Sequence, residues 1–206
     1  MNFINLGSGQ NIAVCGIKEL PGYIGACRQK PVVLSIENPG ATPATGKAPN
    51  LSGQVYAQKV QVYFDITEEV RGFSPTPKQI DEGLDFLREH PDRDLIVHCE
   101  RGVSRSAAMA ALYVATVLGD GHEDKVVEEL HRIRPTAAPN PFIVLSGGKE
   151  ELAKALVLHD AIYANMGAAH RYRLDWMAAN KATVEQHFGG RMLAPLQEHL
   201  RTRCRT

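Results

Sequence analysis

Hydrophobic and polar positions in the first three quarters of this chain follow two different periods. Short apolar or alternating runs, which are typical of β-strands, occupy residues 11–15, 31–36, 59–64 and 94–97. Longer amphipathic segments predict helices at residues 19–28, 76–90, 105–118 and 123–133, the first of them interrupted by Pro21-Gly22. In the second helix, Ile80, Leu84 and Leu87 fall on one face. Strands therefore alternate with helices along this part of the chain.

One connecting segment stands out between the strands at 31–36 and 59–64. It follows the turn signal Asn38-Pro39-Gly40, and residues 41–54 are rich in Pro, Thr, Ala and Gly. We expect an exposed loop that serves as a plain connector. A flap bordering a substrate cleft is the functional alternative.

Composition narrows the class of protein without naming a function. The 206 residues include 23 basic and 23 acidic side chains, so the formal net charge is zero and no general affinity for polyanions follows. The four cysteines show no close paired spacing, which argues against a zinc site or a disulfide framework. We expect no metal and no cofactor. Neither a signal peptide nor a membrane-spanning segment is evident.

The strongest chemical signal lies where the strand at 94–97 meets the helix at 105–118. Cys99 and Arg105 bracket a short loop that contains Gly102. Backbone N–H groups in such a loop and at a helix N-terminus favour negative charge. A cysteine facing them has its pKa lowered from about 8.5 to roughly 3.5–7.5, and Arg105 offers a planar fork matched to two phosphoryl oxygens. The alternative for Cys99 is an inert buried thiol.

The run from His98 to Ser106 resembles the signature loop of the cysteine-dependent protein phosphatases. Its form, His-Cys-x-x-Gly-x-x-Arg-Ser, is most similar to that of the dual-specificity branch. A second match follows in the expected order, because Arg134-Pro135 and Pro139-Asn140 resemble the family segment that opens a helix behind the phosphate loop. Asn140 is a natural cap for that helix.

The resemblance implies an α/β fold with a central mixed, mostly parallel sheet flanked by helices. On this interpretation, residues 1–152 form the catalytic domain. Residues 153–206 form an α-helical C-terminal extension packed on the domain or appended to it. That extension is basic, and we favour a solvated basic face over contact with an anionic partner. Nothing in it indicates nucleic-acid binding, since Trp176 stands among few aromatic residues.

The resemblance also implies a role for each residue of the loop. Cys99 is the nucleophile, and Arg105 binds the phosphoryl oxygens together with the loop amides. His98 orients the loop and lowers the pKa of the cysteine from behind, and Ser106 steadies the thiolate as it leaves. The phosphate-binding loop itself comprises Glu100, Arg101, Gly102, Val103, Ser104 and Arg105.

A general acid must lie on another loop that faces the cysteine. Asp65 follows the strand at 59–64, and its separation from Cys99 is close to the family spacing between acid and nucleophile. We therefore expect Asp65 to be the acid, with Glu68 and Glu69 on the same loop as substitutes. The alternative for Asp65 is a solvated carboxylate or a helix cap.

The expected activity is hydrolysis of phosphotyrosine in proteins through a cysteinyl-phosphate intermediate. Phosphoserine and phosphothreonine stay open as further substrates, because no Trp-Pro-Asp acid loop or tyrosine-recognition segment is evident. Two alternatives also stay open. One is a phosphatase of the same fold that acts on a phosphoinositide, nucleotide or RNA phosphate, and the other is a phosphate-binding adaptor without turnover.

Arg101 bears on this choice. Facing inward it favours multiply phosphorylated substrates, and facing outward, which we favour, it is a solvated charge beside Glu100. A thiolate of low pKa needs a reducing compartment, so we expect a cytoplasmic protein whose partner is a phosphorylated protein substrate.

Overall fold

A five-stranded sheet forms the centre of the computed structural model, which describes residues 1–7, 9–67, 69–70 and 72–159. In chain order the strands are β1 (Ile4–Asn5), β2 (Asn11–Gly16), β3 (Val32–Glu37), β4 (Ala57–Val62) and β5 (Leu95–Cys99). Their order across the sheet is β1-β2-β5-β3-β4. β1 is antiparallel to β2, and all other neighbouring pairs are parallel. The expectation of a mixed, mostly parallel sheet is confirmed.

Helices cover both faces of this sheet. They are α1 (Leu20–Ala26), α2 (Pro77–Arg88), α3 (Arg105–Leu118), α4 (Glu123–Ile133), α5 (Pro141–Ser146) and α6 (Glu150–His159), with a short 3₁₀ turn at Pro43–Thr45. The larger core cluster joins one face of the sheet to α2 through α6. A smaller cluster on the other face includes Leu20 and Tyr23 of α1 and Leu51 and Val55 of the β3–β4 connection.

Helix α3 is the central helix of the larger layer. Every residue from Arg105 to Ala115 is buried. Its first half is rich in alanine, and such small side chains allow a helix to lie close against a sheet. The N-terminus of α3 is thereby fixed directly behind the loop that joins it to β5.

The carboxyl ends of the four parallel strands lie at one edge of the sheet. β2 ends there at Gly16, β3 at Glu37, β4 at Val62 and β5 at Cys99. In open α/β sheets, ligands bind in the crevice outside this edge. The loops that follow these strands therefore carry the candidate site.

Most predicted element boundaries shift by one or two residues, and the differences at β4, α1 and β1 are described here. β4 covers residues 57–62 rather than 59–64, because the alternation continues into Tyr63, which is buried in the loop after the strand. Pro21 does not interrupt α1, since it lies in the first turn, where its missing N–H has no partner to lose. The two-residue strand β1 has no counterpart in the sequence prediction.

Helix α6 runs across residue 152, where the sequence interpretation divides the chain. Residues 160–206, including Trp176 and the arginines of the basic extension, lie outside the described residues, so the helical extension stays a prediction. Within the described part of the chain, no helix has the length and apolar character needed to cross a membrane.

Candidate active site

The loop between β5 and α3 brings Cys99 and Arg105 together. β5 ends at Cys99 and α3 begins at Arg105. Between them, Gly102 adopts a φ of +70°, and a Cβ at this position would lie 2.3 Å from the carbonyl carbon of Cys15. Only glycine meets both demands, the left-handed backbone and the close approach to β2.

Cys99 is buried, and its sulfur lies among hydrogen-bond donors. Sγ is 3.2 Å from Ser106 Oγ, and the backbone N–H of Gly102 donates to it at 3.3 Å. Burial by itself raises the pKa of the thiol. The positive charge of Arg105 and hydrogen bonds from Ser106 outweigh burial, and the pKa of Cys99 is lowered from its ordinary value. The site therefore favours the nucleophilic thiolate.

Arg105 is 1% exposed and is held from one end of its guanidinium group. Nη1 donates to Asn38 Oδ1 at 2.9 Å and to the backbone oxygen of Tyr63 at 3.0 Å. Nε is buried without a hydrogen-bond partner, 3.9 Å from Asp65 Oδ2. A buried donor without an acceptor is costly, and an oxyanion beside it removes that cost.

Asp65 lies against the same loop, in the segment that follows β4. Its carboxylate is 5% exposed, so it is not the solvated group that the sequence left as an alternative. Oδ1 accepts hydrogen bonds from Ser104 Oγ at 2.6 Å and from Asn140 Nδ2 at 2.7 Å. Oδ2 lies on the side of Arg105.

Asn140 performs two tasks at once. Its Oδ1 accepts from the backbone N–H of Ile143 and so caps α5, as the sequence predicts. Its Nδ2 donates to Asp65 and, at 3.0 Å, to the backbone oxygen of Ile66. The helix cap therefore also fixes the orientation of the carboxylate.

The segment around Asp65 has a small core of its own. Ile66, Val70 and Phe73 are buried together, and the rings of Phe64 and Phe73 are 5.3 Å apart. Of the two substitute acids, Glu69 is exposed and Glu68 lies outside the described residues. Among the described carboxylates of this segment, Asp65 is the one bound to the loop.

His98 lies on the opposite face of β5 from Cys99. Its Nε2 is 2.8 Å from Ser35 Oγ. Burial lowers the pKa of His98 to about 4, although a hydrogen bond to the backbone of Cys99 acts in the other direction. The ring is therefore neutral at pH 7. Its expected influence on the thiol stays a prediction, whereas Arg105 and Ser106 lower the pKa of Cys99 directly.

The rim of the loop carries two exposed charges, Glu100 and Arg101. The β3–β4 connection borders this rim, because a Cβ at Gly46 would lie 2.8 Å from Glu100 Cγ. The connection therefore lies against the rim of the loop, and its interpretation as a plain connector stays a prediction. Val103 is partly buried between this rim and α3.

Comparisons with known proteins agree with this arrangement. No family model matches the chain. Human dual specificity protein phosphatase 15 is 39% identical over 71 residues, which are 32% of this chain and 23% of that protein. The match thus spans less than a quarter of the length of this curated relative.

Two solved structures share the fold at low sequence identity. A crystal structure of PTPMT1 in complex with PI(5)P has a TM-score of 0.52 at 17% identity, covering 76% of this chain and 97% of that chain. A second crystal structure of PTPMT1 has a TM-score of 0.51 at 18% identity, covering 77% and 98%.

The chain is thus similar over 71 residues to a dual specificity protein phosphatase, and it shares its fold with the two PTPMT1 structures. No local sequence signal indicates the residues that hold Arg105 and the outer side of the loop. The sequence indicates Asn38 only as part of a turn, whereas in the structure its side-chain oxygen accepts a hydrogen bond from Arg105. Glu19 and the side chain of Arg134 form a second group around the loop, joined by a 2.7 Å ion pair. No local pattern indicates a contact between residues so far apart in the chain.

Proposed function

We propose that this chain hydrolyses phosphate monoesters of protein side chains, phosphotyrosine first, through a cysteinyl-phosphate intermediate. The observation that carries the proposal is the pairing of a thiol of lowered pKa with a buried guanidinium Nε that has no acceptor. When a phosphoryl group lies between them, the sulfur of Cys99 attacks its phosphorus atom. Its oxygens accept hydrogen bonds from Arg105 and from the loop amides. Such preorganised donors supply much of the rate enhancement in phosphoryl transfer.

In the first step, the thiolate of Cys99 attacks phosphorus and forms the S–P bond. The P–O bond to the substrate breaks in line with it, and the leaving oxygen takes a proton from Asp65. We assign this proton to Oδ2, the oxygen on the side of Arg105, because Oδ1 accepts from Ser104 and Asn140.

In the second step, water replaces the leaving group. Asp65, now a carboxylate, takes a proton from that water as its oxygen attacks phosphorus, and the S–P bond breaks. Ser106 donates to the departing thiolate from 3.2 Å. Inorganic phosphate leaves, and Asp65 keeps the proton it took from water for the next cycle.

Protein substrates are favoured over phosphoinositides by the charges at the rim. Glu100 and Arg101 are both exposed there and oppose each other in sign. A lipid headgroup with several phosphates gains little binding energy from a rim where one positive charge is offset by one negative charge. The PTPMT1 structure that contains PI(5)P nevertheless makes a phosphoinositide the second candidate, with Arg101 as its contact.

The test compares the 206-residue chain with its Cys99→Ser variant. Vanadate-sensitive hydrolysis of an aryl phosphate, lost in Cys99→Ser, is the expected result. Absence of hydrolysis from pH 5 to pH 8 would reduce the protein to a phosphate-binding adaptor. A panel of phosphopeptides and phosphoinositide vesicles then separates the two substrate classes. We expect the higher kcat/KM on phosphotyrosine peptides.

A further inference from the structure

The backbone carbonyl groups of Glu100, Arg101 and Gly102 in the phosphate loop all accept hydrogen bonds from residues outside the loop. The backbone N–H of Ile17 donates to the oxygen of Glu100 at 3.2 Å. The guanidinium group of Arg134 donates from Nη2 to the oxygen of Arg101 at 2.8 Å and from Nε to the oxygen of Gly102 at 3.0 Å. One side chain thus binds two successive carbonyl oxygens.

Binding the carbonyls on one side determines the direction of the amides. The C=O and N–H of a planar trans peptide unit point in opposite directions. When Arg134 holds the oxygen of Arg101, the N–H in the same peptide unit, that of Gly102, must face the other way. It does so, since it donates to Cys99 Sγ. The outer hydrogen bonds therefore aim the inner donors at the place where a phosphoryl group binds.

Arg134 is itself held in place by Glu19. Its Nη1 donates to Glu19 Oε1 at 2.7 Å, and Glu19 Oε2 accepts from the backbone N–H of Gly16 at 2.7 Å. Gly16 pairs with Cys99 in the sheet. A continuous series of hydrogen bonds therefore runs from Gly16 at the end of β2 through the side chains of Glu19 and Arg134. It ends at the backbone oxygens of Arg101 and Gly102.

We propose that Glu19 and Arg134 are positioning residues that hold the loop amides in the arrangement that binds an oxyanion. This inference rests on the proposed function and adds two residues to the site. Neither side chain touches the reacting atoms. Both act through the loop backbone, with the guanidinium fork providing donors in three directions.

The variants that test this role are Glu19→Gln and Arg134→Lys. Glu19→Gln keeps the shape but removes the charge, and Arg134→Lys keeps the charge but replaces the planar fork with a single ammonium group. The pair Arg132 and Glu129 in α4, the helix that ends just before Arg134, supplies a matched control. Arg132 also binds a glutamate and a backbone oxygen, that of Phe3, and neither of these belongs to the phosphate loop.

Tungstate is an oxyanion that binds without being turned over. Its affinity, measured by calorimetry, therefore reports on how well the loop amides bind an oxyanion. We expect about threefold weaker binding in Glu19→Gln and about tenfold weaker binding in Arg134→Lys, since charge-assisted hydrogen bonds are roughly twice as strong as neutral ones. The pH midpoint of Cys99 alkylation should rise in both variants. Glu129→Gln should change neither quantity, and thermal unfolding should show that all three variants are folded.

Two failures of this experiment are distinguishable. If the wild-type protein neither binds tungstate nor hydrolyses an aryl phosphate, the proposed function fails and the inference fails with it. If the wild-type protein does both, and Glu19→Gln and Arg134→Lys match it in tungstate affinity and alkylation midpoint, only the positioning role is overturned. A loss of affinity no larger than that of Glu129→Gln has the same meaning.

Discussion

Asn140 Nδ2 donates to Asp65 Oδ1 across 2.7 Å, so the residue that caps α5 also holds the carboxylate beside the phosphate loop. Ser104, the residue before α3, donates to the same oxygen. The proposed acid, Asp65, is therefore hydrogen-bonded to residues at two helix N-termini. Its position relative to Cys99 is set by the packing of α3 and α5.

Replacing Asn140 separates the cap from the contact with Asp65. Asn140→Ser keeps a capping oxygen but loses the amide that donates to Asp65, whereas Asn140→Ala loses both. We expect Asn140→Ala to lower the free energy of unfolding by about 1–2 kcal/mol more than Asn140→Ser does. Both variants should lose kcat on a phosphopeptide to a similar extent. Equal stability of the two variants in urea unfolding would show that the cap is energetically unimportant.

Replacing Asp65 with asparagine tests proton transfer to the leaving group. An alkyl phosphate, such as phosphoserine in a peptide, leaves as a strongly basic oxygen and needs the proton, whereas an activated aryl phosphate needs it little. We expect Asp65→Asn to reduce kcat by about 10²- to 10⁴-fold on the alkyl substrate and far less on the aryl substrate. The exposed residue Glu69 provides the control, and Glu69→Gln should leave both rates unchanged. Equal losses on both substrates in Asp65→Asn would argue for a structural role.

Gly102 is expected to be intolerant of even a methyl group. A Cβ at this position would lie 2.3 Å from the backbone of Cys15, in addition to the strain of φ +70°. Gly148 has the same φ but has nothing within 4 Å of an added Cβ, so Gly148→Ala measures the backbone strain alone. We expect Gly148→Ala to cost about 1–2 kcal/mol and Gly102→Ala clearly more, with loss of tungstate binding. Chemical unfolding of both variants checks the difference, and equal costs would rule out the close approach.

Stability should fall on acidification because of His98. Its pKa is about 4 in the folded protein and near 6.5 in the unfolded chain, so between these pH values only the unfolded chain takes up the proton. This favours unfolding by up to roughly 3 kcal/mol as the pH falls through that window. Urea unfolding at several pH values should show a steeper acid loss in wild type than in His98→Asn. Parallel pH dependences would mean that His98 is not buried as a neutral ring.

The sequence predicts well those parts of the site that are local. β5, the loop and the start of α3 are contiguous, and their chemistry is visible in the nine residues from His98 to Ser106. The spacing from Cys99 predicts Asp65. β4 was displaced by two residues, because Tyr63 and Asp65 are buried by tertiary packing and extend the alternation beyond the strand.

The long-range contacts had no such local signal. Glu19 and Arg134 are 115 residues apart in the chain, and nothing in the charge pattern around either indicates their pairing. The same holds for Asn38, whose side-chain oxygen accepts a hydrogen bond from Arg105, 67 residues away in the chain. These contacts depend on which strands are neighbours in the sheet. Strand order comes from the packing of the whole domain, and one sequence alone does not reveal it.

The central claim is that Cys99 carries the phosphoryl group during turnover. Rapid quenching of the protein with an aryl phosphate, followed by mass spectrometry of the peptides, tests this directly. We expect one phosphoryl group on the sulfur of Cys99 in wild type, more of it in Asp65→Asn, where hydrolysis of the intermediate is slowed, and none in Cys99→Ser. Sustained turnover by Cys99→Ser, or by wild type with Cys99 unmodified at every time point, would contradict the account.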